Sequence, residues 1–286
     1  MKISGTGKTL RLTLLIAALL VLVCGASVAA QGDNEQDYGG RSLFVYVPSE
    51  LPAPGKRALV VVLHGGLGNA QRIVSAESEH GLNMDAVAEK AGFIVAYLNG
   101  TRVTRHFRAD KLGWNAGGGC CGVPAEKQVD DVSYIKGAVD YLVKEYGIDR
   151  SRIYGMGHSN GAMMTQRVMC ETGMYAAAVA ISGPLNLTTE NCAAARGRKI
   201  LAIHGVDDRN VPVAGGQGSR GISRAVYNSE ESSRQIFVGA GASYTLQLVK
   251  GADHKLDHID AAIQASEGET IAEKAARFFG LLNSSR

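Results

Sequence analysis

After its opening arginine, the run Arg57-Ala58-Leu59-Val60-Val61-Val62-Leu63 is apolar at every position. A strand with one wet face alternates apolar and polar residues. A continuous β-branched run of this length belongs to a strand buried on both faces of a parallel sheet. Such a strand needs helices above and below it, and the rest of the chain supplies them. Strands are expected at 42–47, 57–63, 93–98, 152–156, 177–181, 199–204 and 244–249. Helices are expected at 83–90, 129–146, 160–172 and 270–282. Within 129–146, Val132, Ile135, Val139, Leu142 and Val143 fall at helical spacing, and Asp130 or Asp131 is placed for the first turn. Strands alternating with helices predict an α/β fold, a mostly parallel central sheet with helices on both faces.

In that order of elements one junction carries chemistry. The run Arg152-Ile153-Tyr154-Gly155-Met156 leads into Gly157-His158-Ser159-Asn160-Gly161, a Gly-x-Ser-x-Gly motif where a strand ends and a helix begins. A serine hydroxyl is a poor nucleophile unless a tight turn holds it out within reach of a base, and the glycines allow that turn. In a chain with 36 glycines the motif alone is weak, and a plain Gly/Ser turn at a helix start is its rival.

The partners expected of Ser159 lie downstream. The strand at 199–204 runs into His204-Gly205-Val206-Asp207-Asp208, and the strand at 244–249 runs into Lys250-Gly251-Ala252-Asp253-His254. Nucleophile, acid and base after successive strand ends is the chain order of a serine hydrolase on a parallel sheet. Ser159 is then the nucleophile, His254 the general base and Asp208 the carboxylate that orients it. Asp207 is the rival acid and His258 the rival base. The pair His254/His258 has a helical zinc spacing, but Lys255 stands where a metalloprotease glutamate would be, so no metal is expected. Backbone N–H groups of Asn160 and Leu67 are the expected oxyanion donors, with Gly66 close behind. Leu67 lies in His64-Gly65-Gly66-Leu67-Gly68, directly after the buried strand. His64 and His204 read as structural groups near the site, and His158 as a residue shaping the cleft. Trp114, the single tryptophan, reads equally as a packed anchor or as a cleft wall binding substrate.

The amino-terminal stretch has the anatomy of a secretory signal peptide. Lys2, Lys8 and Arg11 precede the apolar run Leu12–Cys24, and Val28-Ala29-Ala30 offers small residues for cleavage before Gln31. Gly5-Thr6-Gly7-Lys8-Thr9 is not a phosphate loop, because Lys2 occupies the first glycine position and no strand precedes it. The expected organisation is residues 1–30 as leader and 31–286 as one catalytic domain, secreted to the periplasm or the medium. Without the leader the formal charge falls from +3 to zero, which leaves no basic stripe for nucleic acid or a membrane surface. Four cysteines follow the leader: Cys120, Cys121, Cys170 and Cys192. In an exported chain they are expected to pair. Cys170–Cys192 is favoured, with Cys120–Cys121 left reduced or vicinally bonded; the crossed pairings stay open.

Several segments together resemble the secreted polyhydroxybutyrate-depolymerase-like esterases, which are similar to feruloyl and acetylxylan esterases. They are Val60-Val61-Val62-Leu63-His64-Gly65-Gly66, Trp114-Asn115-Ala116-Gly117 with Cys120-Cys121-Gly122, and Val129-Asp130-Asp131-Val132. Ser159-Asn160-Gly161-Ala162-Met163-Met164 and the spaced set His204-Gly205, Asp208 and Val211-Pro212 complete the resemblance. Cys170 and Cys192 also fall where that family tends to carry cysteines. The resemblance implies an α/β-hydrolase fold, a Ser-Asp-His triad and no cofactor. Substrates would be small esters, oligomeric polyesters or esters linked to polysaccharide. The departures are Ala252-Asp253 before the histidine, Lys255-Leu256 after it, and the glycine-rich stretch 215–221. An acyltransferase of the same fold, or a secreted binding protein without catalysis, is the alternative.

Overall fold

The structure, a computed structural model, describes Met1 and residues 32–75, 81–103, 110–187, 192–220 and 225–283. The expected leader, Met1 apart, lies outside the described residues. Among these residues no helix is long and apolar enough to cross a membrane.

Eight strands form one sheet: β1 (Gly32–Tyr38), β2 (Arg41–Val47), β3 (Arg57–Leu63), β4 (Ile94–Leu98), β5 (Ile148–His158), β6 (Ala177–Ile181), β7 (Lys199–Gly205) and β8 (Ser243–Val249). Their spatial order is β1-β2-β4-β3-β5-β6-β7-β8. Strand β2 runs antiparallel to both its neighbours, and every pairing from β4 to β8 is parallel.

The apolar run of β3 does what its composition predicts. Leu59, Val61 and Leu63 enter one core, while Ala58, Val60 and Val62 enter the other. The first core is closed by α4 (Asp131–Tyr146), α5 (Asn160–Thr172) and Phe237 of α6 (Glu230–Gly239). The second is closed by α1 (Ala70–Val74), α2 (Met84–Ala91), α7 (Leu256–Glu267) and α8 (Ile271–Phe278). A one-turn helix, α3 (Val123–Glu126), lies on the approach to α4. The start of α4 is fixed by Asp130, whose side chain accepts the Ser133 N–H at 3.0 Å.

The sequence pattern and the structure differ where elements are polar or exposed. Strand β5 begins at Ile148, before the apolar run; the expected terminal helix at 270–282 is the shorter α8, and α7 before it had not been expected. Strand β1 reads Gly-Asp-Asn-Glu-Gln-Asp-Tyr, a polar edge strand held by pairing with β2. Cys170, in α5, is bonded to Cys192, and Cys120 to its neighbour Cys121 across a cis peptide bond.

Candidate active site

Strand β5 delivers Ser159 to the top of the sheet. Its N–H still bonds to Ile181 O of β6 at 2.8 Å, and the next residue begins α5. Ser159 takes φ 55° and ψ −122°, a left-handed turn that L residues rarely adopt. The turn closes because Gly157 and Gly161 have no side chain. A Cβ on Gly157 would stand 2.4 Å from Gly161 O, and one on Gly161 would stand 2.2 Å from Leu63 O of β3. Helix α5 therefore packs against the strand ends at backbone distance.

The three residues expected to cooperate are brought together. Ser159 Oγ lies 2.9 Å from His254 Nε2, and His254 Nδ1 lies 2.7 Å from Asp208 Oδ2. His254 follows the end of β8, and Asp208 follows the end of β7. The rivals are elsewhere. His258 is exposed and bonds to Asp253 at 2.9 Å, and Asp207 is exposed while Asp208 is buried. Among the described residues no cluster of three or more His, Cys, Asp or Glu is disposed to hold a metal ion.

Asp208 is saturated with donors. Its Oδ1 accepts the N–H groups of Asn210 and Val211, each at 2.8 Å. Its Oδ2 takes His254 and also His204 Nε2 at 3.1 Å. Burial raises the acid's pKa, but the bonds from His204 and His254 outweigh it and hold the carboxyl well below the usual range. His204 is itself fully buried. Its Nε2 also faces Val211 O at 2.9 Å, and its Nδ1 faces Glu230 Oε1 at 2.7 Å. Both ring nitrogens meet only acceptors, so the ring is an imidazolium. Burial disfavours that charge, yet the two carboxylates overcome it and push the pKa up to about 9. Glu230 closes the network by accepting the Tyr244 hydroxyl at 2.6 Å. The sequence marked His204 as a structural neighbour; Glu230 carried no signal, because it opens a polar helix beside the exposed Glu231.

The turn 64–68 lies against the site, with Gly66 and Leu67 on the pocket wall. Leu67 has φ 64°, and the turn is closed by Gly68 N–H to Gly65 O at 3.0 Å. His64 beneath it is buried, accepts the Gly100 N–H on Nε2 at 3.1 Å and donates from Nδ1 to Gly65 O. Burial, only partly opposed by the Gly65 bond, lowers its pKa to about 4, so it is neutral. Asn160 opens α5, so its N–H is among those a helix leaves without an internal acceptor. Its side chain is used inward: Oδ1 accepts Trp114 N–H at 2.7 Å, and Nδ2 donates to Trp114 O at 3.1 Å. His158 donates from Nε2 to His254 O at 2.9 Å and lines the pocket beside it.

Of the two readings of Trp114, the structure gives the packed anchor and not the substrate-binding cleft wall. Trp114 is fully buried, its Nε1 donates to His64 O at 2.9 Å, and its ring packs on that of His64. The wall position belongs to Cys121 and Val103. The pocket over Ser159 has a volume of about 490 Å³.

An eight-stranded sheet in this order, with its second strand reversed, superposes on known esterase structures over most of its length. A thermostable esterase gives a TM-score of 0.57 at 18% identity, over 87% of this chain and 62% of that one. An acetyl xylan esterase from Aspergillus awamori gives 0.56 at 14% identity, over 88% of this chain and 100% of that one. The fold is the α/β-hydrolase fold. In sequence, the chain is 31% identical over 177 residues to feruloyl esterase B of Talaromyces stipitatus, covering 60% of the chain and 44% of the relative. It is 32% identical over 158 residues to acetylxylan esterase A of Emericella nidulans, covering 53% of the chain and 44% of the relative. The chain thus spans less than half the length of these curated relatives. The similarity to feruloyl and acetylxylan esterases is the one its motifs imply. Residues 123–195, which include Ser159 but neither Asp208 nor His254, match the model of the prolyl oligopeptidase family.

Proposed function

We propose that this α/β hydrolase is an exported serine esterase that cleaves carboxylic esters through an acyl-enzyme on Ser159. The observation that carries the reading is the unbroken file Ser159 Oγ, His254 imidazole and Asp208 carboxylate at 2.9 and 2.7 Å, opening into a pocket. His254 removes the Ser159 proton as the oxygen attacks the acyl carbon, then returns it to the departing alcohol. Water repeats the sequence on the acyl-enzyme and releases the acid. Asp208 holds the ring with Nδ1 protonated and Nε2 facing the serine. The N–H groups of Leu67 and Asn160 receive the oxyanion, a pair whose members are typically worth about 3–4 kcal/mol each.

The substrates that fit are short-chain acyl esters, hydroxyalkanoate oligomers, and feruloyl or acetyl groups on polysaccharide. The sequence relatives named for feruloyl and acetylxylan ester cleavage support the last two. The test compares wild type with Ser159→Ala on 4-nitrophenyl acetate, methyl ferulate, a 3-hydroxybutyrate oligomer and a matched 4-nitroanilide. Serine-dependent turnover of the esters, with the anilide left intact, is the expected result. Equal rates for both proteins overturn the mechanism, and anilide cleavage moves the reading to a peptidase.

A further inference from the structure

The described lining of the pocket over Ser159 includes two permanent cations, Arg72 and Lys111, and no carboxylate. Beyond the leader the chain's charges balance, so this is a local excess rather than a property of the whole molecule. The turn that carries Leu67 fixes the backbone at both cations on one wall, with Arg72 exposed and Lys111 half-buried. Asn69 accepts the Arg72 N–H on Oδ1 at 3.0 Å, starting α1, and donates from Nδ2 to Asp110 O at 3.2 Å. Leu112 N–H donates to Gly68 O at 3.0 Å. Lys111 is thus held between two residues that are both tied to the turn 68–69, one helical turn from Arg72. Among the described residues neither cation has an acidic partner, and Asp110 is exposed and outside the described lining.

A pocket that only had to bury an acyl chain would gain nothing from two cations at its wall that have no acidic partner among the described residues. A substrate with a negative group at that wall gains from both, more so in a concave site than on an open surface. The serine esterase reading supplies the scissile bond; the wall adds a recognition element.

We propose that the pocket selects esters that carry a free carboxylate, such as half-esters of dicarboxylic acids, and that Arg72 and Lys111 bind that carboxylate. The inference rests on the serine esterase reading and deepens it by naming the substrate class.

The test uses pairs matched in length. On the acyl side, monomethyl adipate is compared with methyl hexanoate; on the alcohol side, 4-acetoxybutanoate with butyl acetate. Acid release is followed in a pH-stat. Wild type is expected to prefer the anionic member of one pair. In Arg72→Gln/Lys111→Gln the ratio of kcat/KM, anionic over neutral, is expected to fall roughly five- to tenfold, the scale of two partly exposed ion pairs. Raising ionic strength lowers the wild-type ratio in the same direction. Lys136→Gln, on the exposed face of α4, leaves it where it was. A wild-type preference for both neutral esters, or a ratio indifferent to the double substitution and to salt, overturns the inference and leaves the esterase reading standing. No serine-dependent turnover of any of the four sinks both.

Discussion

His204 Nε2 stands 3.1 Å from the same Asp208 oxygen that holds His254 Nδ1. The Asp208 carboxylate thus lies between two imidazoles, one facing the pocket and one sealed behind it. Behind His204 stands Glu230, which balances the second ring's charge. Removing His204 leaves Asp208 with a stronger uncompensated negative field toward His254. His204→Gln is expected to lower kcat/KM by about tenfold, the scale of one buried charge-assisted bond. Because a cation has been removed, the acid limb of its pH–rate profile moves to higher pH. A variant that loses rate with the limb unmoved would assign His204 to packing alone.

The same ring makes stability depend on pH. Its folded pKa, about 9, lies above the ordinary value of 6.5, because two carboxylates hold the cation against the cost of burial. A raised pKa means stability that is complete below about pH 6.5 and lost as pH climbs through 9. Urea midpoints measured from pH 6 to 10 are expected to decline for wild type over that window. In His204→Gln the decline over the same window is shallower, which is the measurement that isolates the group.

Identity of acid and base separates by substitution. Asp208→Asn is expected to reduce kcat by about 10⁴-fold, since the amide favours the wrong tautomer of His254. Asp207→Asn, one residue away and exposed, stays within about twofold of wild type, as surface changes away from the chemistry do. His254→Ala abolishes serine-dependent turnover while His258→Ala retains it. Steady-state rates on one chromogenic ester decide all four.

Trp114 offers a further discrimination. Trp114→Phe keeps the ring in its packed position and removes the bond to His64 O, at a cost of about 1 kcal/mol in unfolding free energy. KM values for acetyl and feruloyl esters are expected to change by the same factor. A selective loss on feruloyl esters would return the residue to the cleft wall.

The Cys170–Cys192 bridge closes a separation of 22 residues. By the loop-entropy account such a closure is worth about 3 kcal/mol. Cys170→Ser/Cys192→Ser is expected to lose stability on that scale in urea titrations at neutral pH. The bridge ties α5, whose first turn follows Ser159, to the segment before β7.

Much of this was legible because the residues involved obey strong local rules. The buried runs of β3 and β6 and the helix at 160–172 stand where periodicity placed them, since parallel strands and a buried helix tolerate few polar residues. Ser159, Asp208 and His254 could be read because each follows a strand end. What escaped had no local rule to follow. Strand β1 is polar and takes its conformation from β2. Helix α6 begins with Glu230 and Glu231, whose opposite fates, buried and exposed, are set by where the helix lands. Trp114, the single tryptophan in a glycine-rich loop, pointed equally to a wall and to an anchor, and its burial and its bond to His64 O separate them.

Strand β8 lies at the edge of the sheet opposite β1, paired among the described residues only with β7, and much of it faces solvent. His254 hangs from its end. Edge elements open locally at lower free energy than the centre of a sheet. On warming, β8 is expected to loosen, and His254 with it, before β3 and β5. Heat inactivation is then expected to begin as peeling at one margin, with activity lost at a lower temperature than the spectroscopic melt. Bracing that margin would extend its working range without altering the pocket.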